Sequence, residues 1–149
     1  MNLAASNTAK ILRMQSILES MPENMKGIPD ASHVYADNAC ARTLMLPKGS
    51  IVVGKMHRDS HLNVISYGHV KVLTFEGNSE YIGHNVFVSP ATVKRCVYAL
   101  EDTCWTVIHL TNSKNEKDLE DEVIIADDSD EFLDTIKNII GGVEWFGQQ

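Results

Sequence analysis

No apolar run in this chain approaches the ~18–20 residues that a helix needs to cross a bilayer. The opening residues, Met1-Asn-Leu-Ala-Ala-Ser, hold no basic region ahead of an apolar core. Neither a membrane-spanning helix nor a secretory leader is therefore expected. A basic stripe is missing too. Net charge is −7, and the acid is crowded between Glu116 and Glu131, where Asp118, Glu120, Asp121, Glu122, Asp127, Asp128 and Asp130 also lie. Proteins that neutralise nucleic-acid phosphates carry the opposite sign, so no direct nucleic-acid partner is expected. Cysteine is scarce and odd in number, with Cys40, Cys96 and Cys104 alone. Buried reduced thiols fit that count better than a disulfide framework and point to a reducing, cytoplasmic setting. No internal repeat recurs.

What is present suffices for one folded domain: 149 residues, 44% hydrophobic and 22% charged, can bury a core without staples. Thr8 to Met21 reads as a helix capped by Ser6, Asn7 or Thr8, with Ile11, Met14, Leu18 and Met21 along one seam. That seam packs either on the chain's own domain or on a second subunit. Pro22 closes it, and Gly27-Ile-Pro29 makes a bend. From His33 onward short extended segments alternate with turn residues, which argues an all-β sandwich or barrel. The expected strands are 33–36, 42–46, 51–55, 61–67, 69–75, 80–82, 86–88, 94–100 and 103–111. Residues 112–121 read as a polar connector, Val123-Ile-Ile-Ala as a short strand, and Asp130 to Ile140 as a helix stopped by Gly141-Gly142. Trp145 and Phe146 are expected to cover a core edge.

The chemistry gathers around Gly54-Lys-Met-His57-Arg-Asp-Ser-His61-Leu-Asn63. In a regular strand Lys55, His57, Asp59, His61, Asn63 and Ile65 share one face, an unusual lining for a core and a reasonable one for a cavity. His57 and His61 would then stand ~13 Å apart, so a bend at Asp59-Ser60 is needed before they can share a metal. His109, alternating with Trp105 and Val107, is the best third ligand. The alternative is a set of hydrogen-bonded histidines, with Asn63, that fix the walls. Arg95 shares a face with Val97, where it either clamps an anionic ligand or pairs with Glu101 or Asp102. His33, His69 and His84 read as surface or turn histidines.

The segments Gly54–Gly68, His69–Gly77 and Phe87–Thr111 resemble the cupin superfamily, and more closely the short cupin-like proteins encoded by tailed bacteriophages. The resemblance implies a double-stranded β-helix, or jelly roll, holding a divalent metal through two histidines, a glutamate and a further histidine. In this chain Lys55 stands at the first histidine position, His57 at the second, His61 at the glutamate and Arg95 at the last histidine. Two ligand positions are thus cationic, which suits an anion better than a metal if those side chains point inward. Sheet-mediated homo-oligomers are a further implication.

The expectation is a single all-β cupin-like jelly roll over 31–126, an N-terminal helical arm and linker over 1–30, and a C-terminal helix and tail over 127–149. A divalent metal is expected at His57, His61 and His109, with Lys55, Asn63, Arg95 and Trp105 contacting a small ligand. A homo-oligomer would form through the N-terminal helix and a sheet face, in a host cytoplasm or on a virion. Two alternatives are an assembly block of a virion and a sugar-nucleotide isomerase or metal-dependent enzyme, for which His57 or His61 would be the base and Tyr98 the acid.

Overall fold

The computed structural model describes residues 2–21 and 30–141. In chain order the elements are α1 (Leu3–Glu19), β1 (Ser32–Ala36), β2 (Ala39–Leu46), β3 (Ile51–Val53), β4 (Met56–His57), β5 (His61–Thr74), β6 (Gly77–Ile82), β7 (Asn85–Ser89), β8 (Cys96–Leu110), α2 (Glu116–Val123), β9 (Ile124–Ile125) and α3 (Asp130–Ile139). Pro22, the Gly27 to Pro29 bend, Gly142, Trp145 and Phe146 lie outside the described residues.

β5 and β8 run antiparallel at the centre, and each changes partner along its length. The first half of β5 pairs with β7 and the second half with β6. β8 pairs with β3 near its start and with β2 near its end. Four expected strands therefore fuse into two. The interruption read at Gly68 is a set of three register shifts between Ile65 and Val70 within one continuous strand. Gly68 takes φ of +126°, and a Cβ there would fall inside the Thr103 side chain. The residue is glycine because a bulge and a close strand crossing meet at that point. The sheet order β1-β2-β8-β5-β6, with β3 and β7 as side branches, leaves edges open. The fold is a jelly roll and not a closed barrel.

Inward residues form the main core: Leu46, Ile65, Val70, Val72, Val97, Ala99, Trp105 and Val107. The alternation of burial along β8 from Thr103 to Leu110 puts Trp105, Val107 and His109 on that inner side. A second cluster, Met56, Ile125, Phe132 and Ile136, joins the β4–β9 pair to α3, with Leu12 of α1 packed against it.

The helices depart from expectation in instructive ways. α1 starts five residues early, because Asn2 caps it by accepting the Ala4 N–H at 2.9 Å and alanine-rich sequence propagates well. Asn7 and Thr8 are buried inside the helix instead of capping it. Ile11 of the apolar seam is buried in the chain's own domain, while Met14, Leu18 and Met21 are half-buried. The polar connector holds α2. Its Asn115 accepts the Asp118 N–H at 2.9 Å while Asp118 accepts from the Asn115 amide at 2.8 Å, a reciprocal cap that turns Leu119 and Val123 inward. α3 begins as expected at Ser129, whose hydroxyl accepts the Phe132 N–H. Cys40 is buried, Cys96 and Cys104 are half-buried, and all three are free thiols.

Candidate functional site

The chain bends at Arg58 and Asp59, between β4 and β5. The bend is fixed from both sides: Arg58 N–H donates to the Val123 carbonyl and the His57 carbonyl accepts from Thr92 N–H, each at 2.8 Å. The Arg58 guanidinium also donates to the Glu122 and Ile124 carbonyls and pairs with Glu131 at 3.0 Å. As a result the His57 and His61 rings lie 4.2 Å apart between centroids. β8 supplies the third ring, since Leu62 pairs with Ile108 and so sets His61 beside His109. The His109 centroid is 5.1 Å from that of His57 and 5.6 Å from that of His61.

All three rings are held neutral. Burial, then the neighbouring His61 and His109, then Arg95 and Arg42, push His57 down to about 2. Burial, with His61 and Arg42 adding to it, pushes His109 down to about 4. Burial also lowers His61, against the opposing Asp59 carbonyl. One His61 nitrogen, Nδ1, lies 3.1 Å from that carbonyl, and the other, Nε2, is buried without a hydrogen-bond partner. Neutral imidazoles are the form that ligates a divalent transition metal, so the donor set fits one. The ring orientations do not yet converge: among the described residues, no three His, Cys, Asp or Glu side chains are posed around a common metal position.

Beside the triad opens a cavity of about 240 Å³. His57 and His109 form part of its wall, with Arg42, Arg95, Trp105 and the apolar side chains of Leu44, Leu46, Val52, Val97 and Val107. α2 covers the mouth with Glu116, Leu119, Glu120 and Val123.

No protein-family model matches the chain, and no curated protein does. Solved structures do. Salicylate 1,2-dioxygenase from Pseudoaminobacter salicylatoxidans, in adducts with gentisate, superposes with a TM-score of 0.50 at 16% identity, over 68% of this chain and 30% of that one. A cupin superfamily protein from Desulfitobacterium hafniense gives 0.49 at 11% identity, over 64% of this chain and 87% of that one. An RmlC-like cupin from Shewanella frigidimarina gives 0.48 at 14% identity, over 64% and 91%. The chain has a cupin-like jelly-roll fold. Identities this low speak for the fold alone, and nothing in these neighbours bears on a bacteriophage source. No helix among the described residues is long and apolar enough to cross a membrane.

Within this fold the expected ligand residues separate. Arg95 faces the cavity, its guanidinium 5.5 Å from the Trp105 ring centre and one nitrogen, Nη2, buried without a partner. The pairing with Glu101 or Asp102 is not formed among the described residues, and one Asp102 oxygen accepts the Lys48 N–H at 2.8 Å. Lys55 lines the rim, but its amine pairs with Glu120 and the side chain is largely exposed. Its charge is engaged by Glu120 at the rim. Asn63 is fully buried, donating to Ser89 Oγ at 2.8 Å and accepting from Trp105 Nε1 at 2.9 Å. Both ends of its amide are occupied within the core and it does not reach the cavity, so its place is in the wall and not on the ligand. Trp105 gives the cavity its ring face. Tyr98 is exposed at 41%, on the outer side of β8, where it cannot serve as an acid in the cavity.

Four lining residues escaped the sequence reading: His33, Arg42, Glu116 and Glu120. Arg42 was legible, because it alternates with the inward Cys40, Leu44 and Leu46 along β2. The two glutamates were hidden with α2. His33 is half-buried and lines the cavity from β1, opposite Arg42. His69 pairs with Glu80 at 2.8 Å and His84 is exposed, as expected of them.

Proposed function

We propose that this protein is a small-ligand-binding cupin with a divalent metal centre at His57, His61 and His109. The observation that carries the reading is the meeting of three neutral imidazoles from β4, β5 and β8, two of them, His57 and His109, in the cavity wall, with a buried His61 nitrogen left without a partner. A bound metal would supply Lewis acidity toward an oxygen of the ligand. The chain's own contribution is to hold the rings neutral, to pin His57 through its backbone, and to exclude water with the apolar walls and α2. Metal content of untagged protein, compared with single alanine variants at the three histidines, tests it.

A second reading concerns assembly. Val34, Ala41, Ile108, Leu62 and Val88 form one cross-strand row on the outer face of the sheet, and Thr43, Thr106, Val64 and Val86 form the next. Neither row contains a charged side chain. Val34 is exposed at 69%, Val88 at 60% and Val86 at 59%. An uncharged apolar face is compatible with its own copy, where a charged one would repel itself. The partner on this face is a second copy of the chain, and Ile11 and Leu12 of α1 pack inward on the chain's own domain. Such a block would serve a virion-assembly role as well as a soluble oligomer; light scattering on sheet-face variants separates an oligomer from a monomer.

A further inference from the structure

We propose that the cavity takes a small organic carboxylate, its carboxyl group against the Arg95 guanidinium and its apolar body against Leu44, Leu46, Val52, Val97 and Val107. The site lies beside the histidines and does not require them to hold a metal.

The first support is the state of Arg95. Its Nη2 is out of contact with solvent and has no acceptor, while the guanidinium lies 5.5 Å from the Trp105 ring centre. A ring face at that distance attracts the cation but accepts no in-plane hydrogen bond, so it leaves the Nη2 donor unsatisfied. Burial pushes Arg95 down to about 10, with Tyr81 opposing the shift, and it is still charged at neutral pH. A buried cation without an anion is costly, and a carboxylate with two acceptor oxygens matches the fork geometry.

The second support is that the chain's own acids do not compete. Among the described residues no carboxylate pairs with Arg95 or with Arg42, the other guanidinium in the wall. Glu120 is engaged with Lys55 at the rim, and Glu116 is exposed on α2. With Glu120 held by Lys55 and Glu116 exposed, no acid of the described residues neutralises Arg95 in the cavity wall.

Size and lining select among anions. About 240 Å³ is below the ~300–1,000 Å³ of pockets for drug-sized molecules. The remaining wall is mostly aliphatic, which disfavours a strongly hydrated ion such as phosphate and favours a short acyl or ring body.

The test is calorimetry on the full chain after chelator treatment, with hexanoate as the probe and hexanamide and inorganic phosphate as comparisons. Hexanoate should bind, and both comparisons should bind at least about tenfold more weakly. Arg95→Gln should weaken hexanoate by at least about tenfold without lowering the melting temperature. Absence of hexanoate binding overturns the proposal. So does equal binding of hexanamide, which would mean an apolar cavity only, or of phosphate, which would mean a bare anion site. Wild-type hexanoate affinity in Arg95→Gln overturns it as well. If that variant does not fold, Arg95→Lys decides, since lysine keeps the charge and loses the fork: weakened hexanoate binding supports the assignment, and unchanged binding overturns it. Because metal is removed throughout, failure here is distinct from failure of the metal centre.

Discussion

His57 and His61, four residues apart in the chain, lie 4.2 Å apart between ring centroids because Arg58 and Asp59 fold the backbone between them. A straight strand would separate them by ~13 Å. The bend is held by Arg58, whose guanidinium reaches α2, β9 and α3 at once. The triad thus depends on partners 64 to 73 residues downstream.

Burial of the triad sets a pH dependence of stability. His57 titrates near 2 and His109 near 4 in the folded chain, and His61 is also lowered. The unfolded chain takes up these protons near ~6.5, so it binds more of them than the folded chain below that pH. Stability is therefore complete above ~6.5 and falls as pH drops, by up to ~1.4 kcal/mol per pH unit for each proton. Urea melts of chelator-treated protein should show a lower midpoint at pH 5 than at pH 7.5, and His57→Gln should lose less over that interval. An equal loss in the variant would remove His57 from the account.

Gly68→Ala should destabilise the fold by on the order of 2 kcal/mol or more, combining a strained positive φ with overpacking. The added methyl would collide with Thr103 at the β5–β8 crossing. Chemical denaturation measures it, and a change under about 0.5 kcal/mol, ordinary for a surface site, would mean that the bulge adapts.

Asn63→Leu should reduce stability and leave the ligand specificity of the cavity unchanged. The substitution leaves Trp105 Nε1 without its acceptor in the core, a loss of about 1–3 kcal/mol. A shift in hexanoate affinity with unchanged stability would return Asn63 to the ligand.

Much of this arrangement was legible in the residues. Alternation placed Trp105, Val107 and His109 on one face, and the need for a bend at Asp59-Ser60 followed from strand geometry alone. Lys55 was not legible: its spacing put it with the histidines, but its partner Glu120 sits on a helix concealed in a run of polar residues. The signals for that helix were the Asn115-x-x-Asp118 cap and the Leu119, Val123 spacing, which a net count of charge obscured. Gly68 misled for a related reason, since a glycine between two strand-like runs reads as a turn whether the chain reverses or only bulges.

Leu62→Lys on the outer sheet face should lower the mass measured by light scattering relative to the wild-type chain. Leu62 is exposed at 46% between Ile108 and Val88 in the apolar row, and a charge there would face its own copy. Identical masses for wild type and variant would remove this face as the contact between copies.

The central claim is the metal centre, and Zn²⁺ titration by calorimetry tests it most directly, on untagged wild type and on His57→Ala, His61→Ala and His109→Ala. Wild type should bind about one ion per chain at pH 7.5, and still bind at pH 5.5, because His57 near 2 and His109 near 4 meet little proton competition there and burial lowers His61 as well. Each single substitution should weaken binding by at least about tenfold, the lower end of what even supporting residues contribute at metal sites. Absence of binding by the wild-type chain, or wild-type affinity in all three variants, would contradict the account and leave the three histidines as packing for the cavity wall.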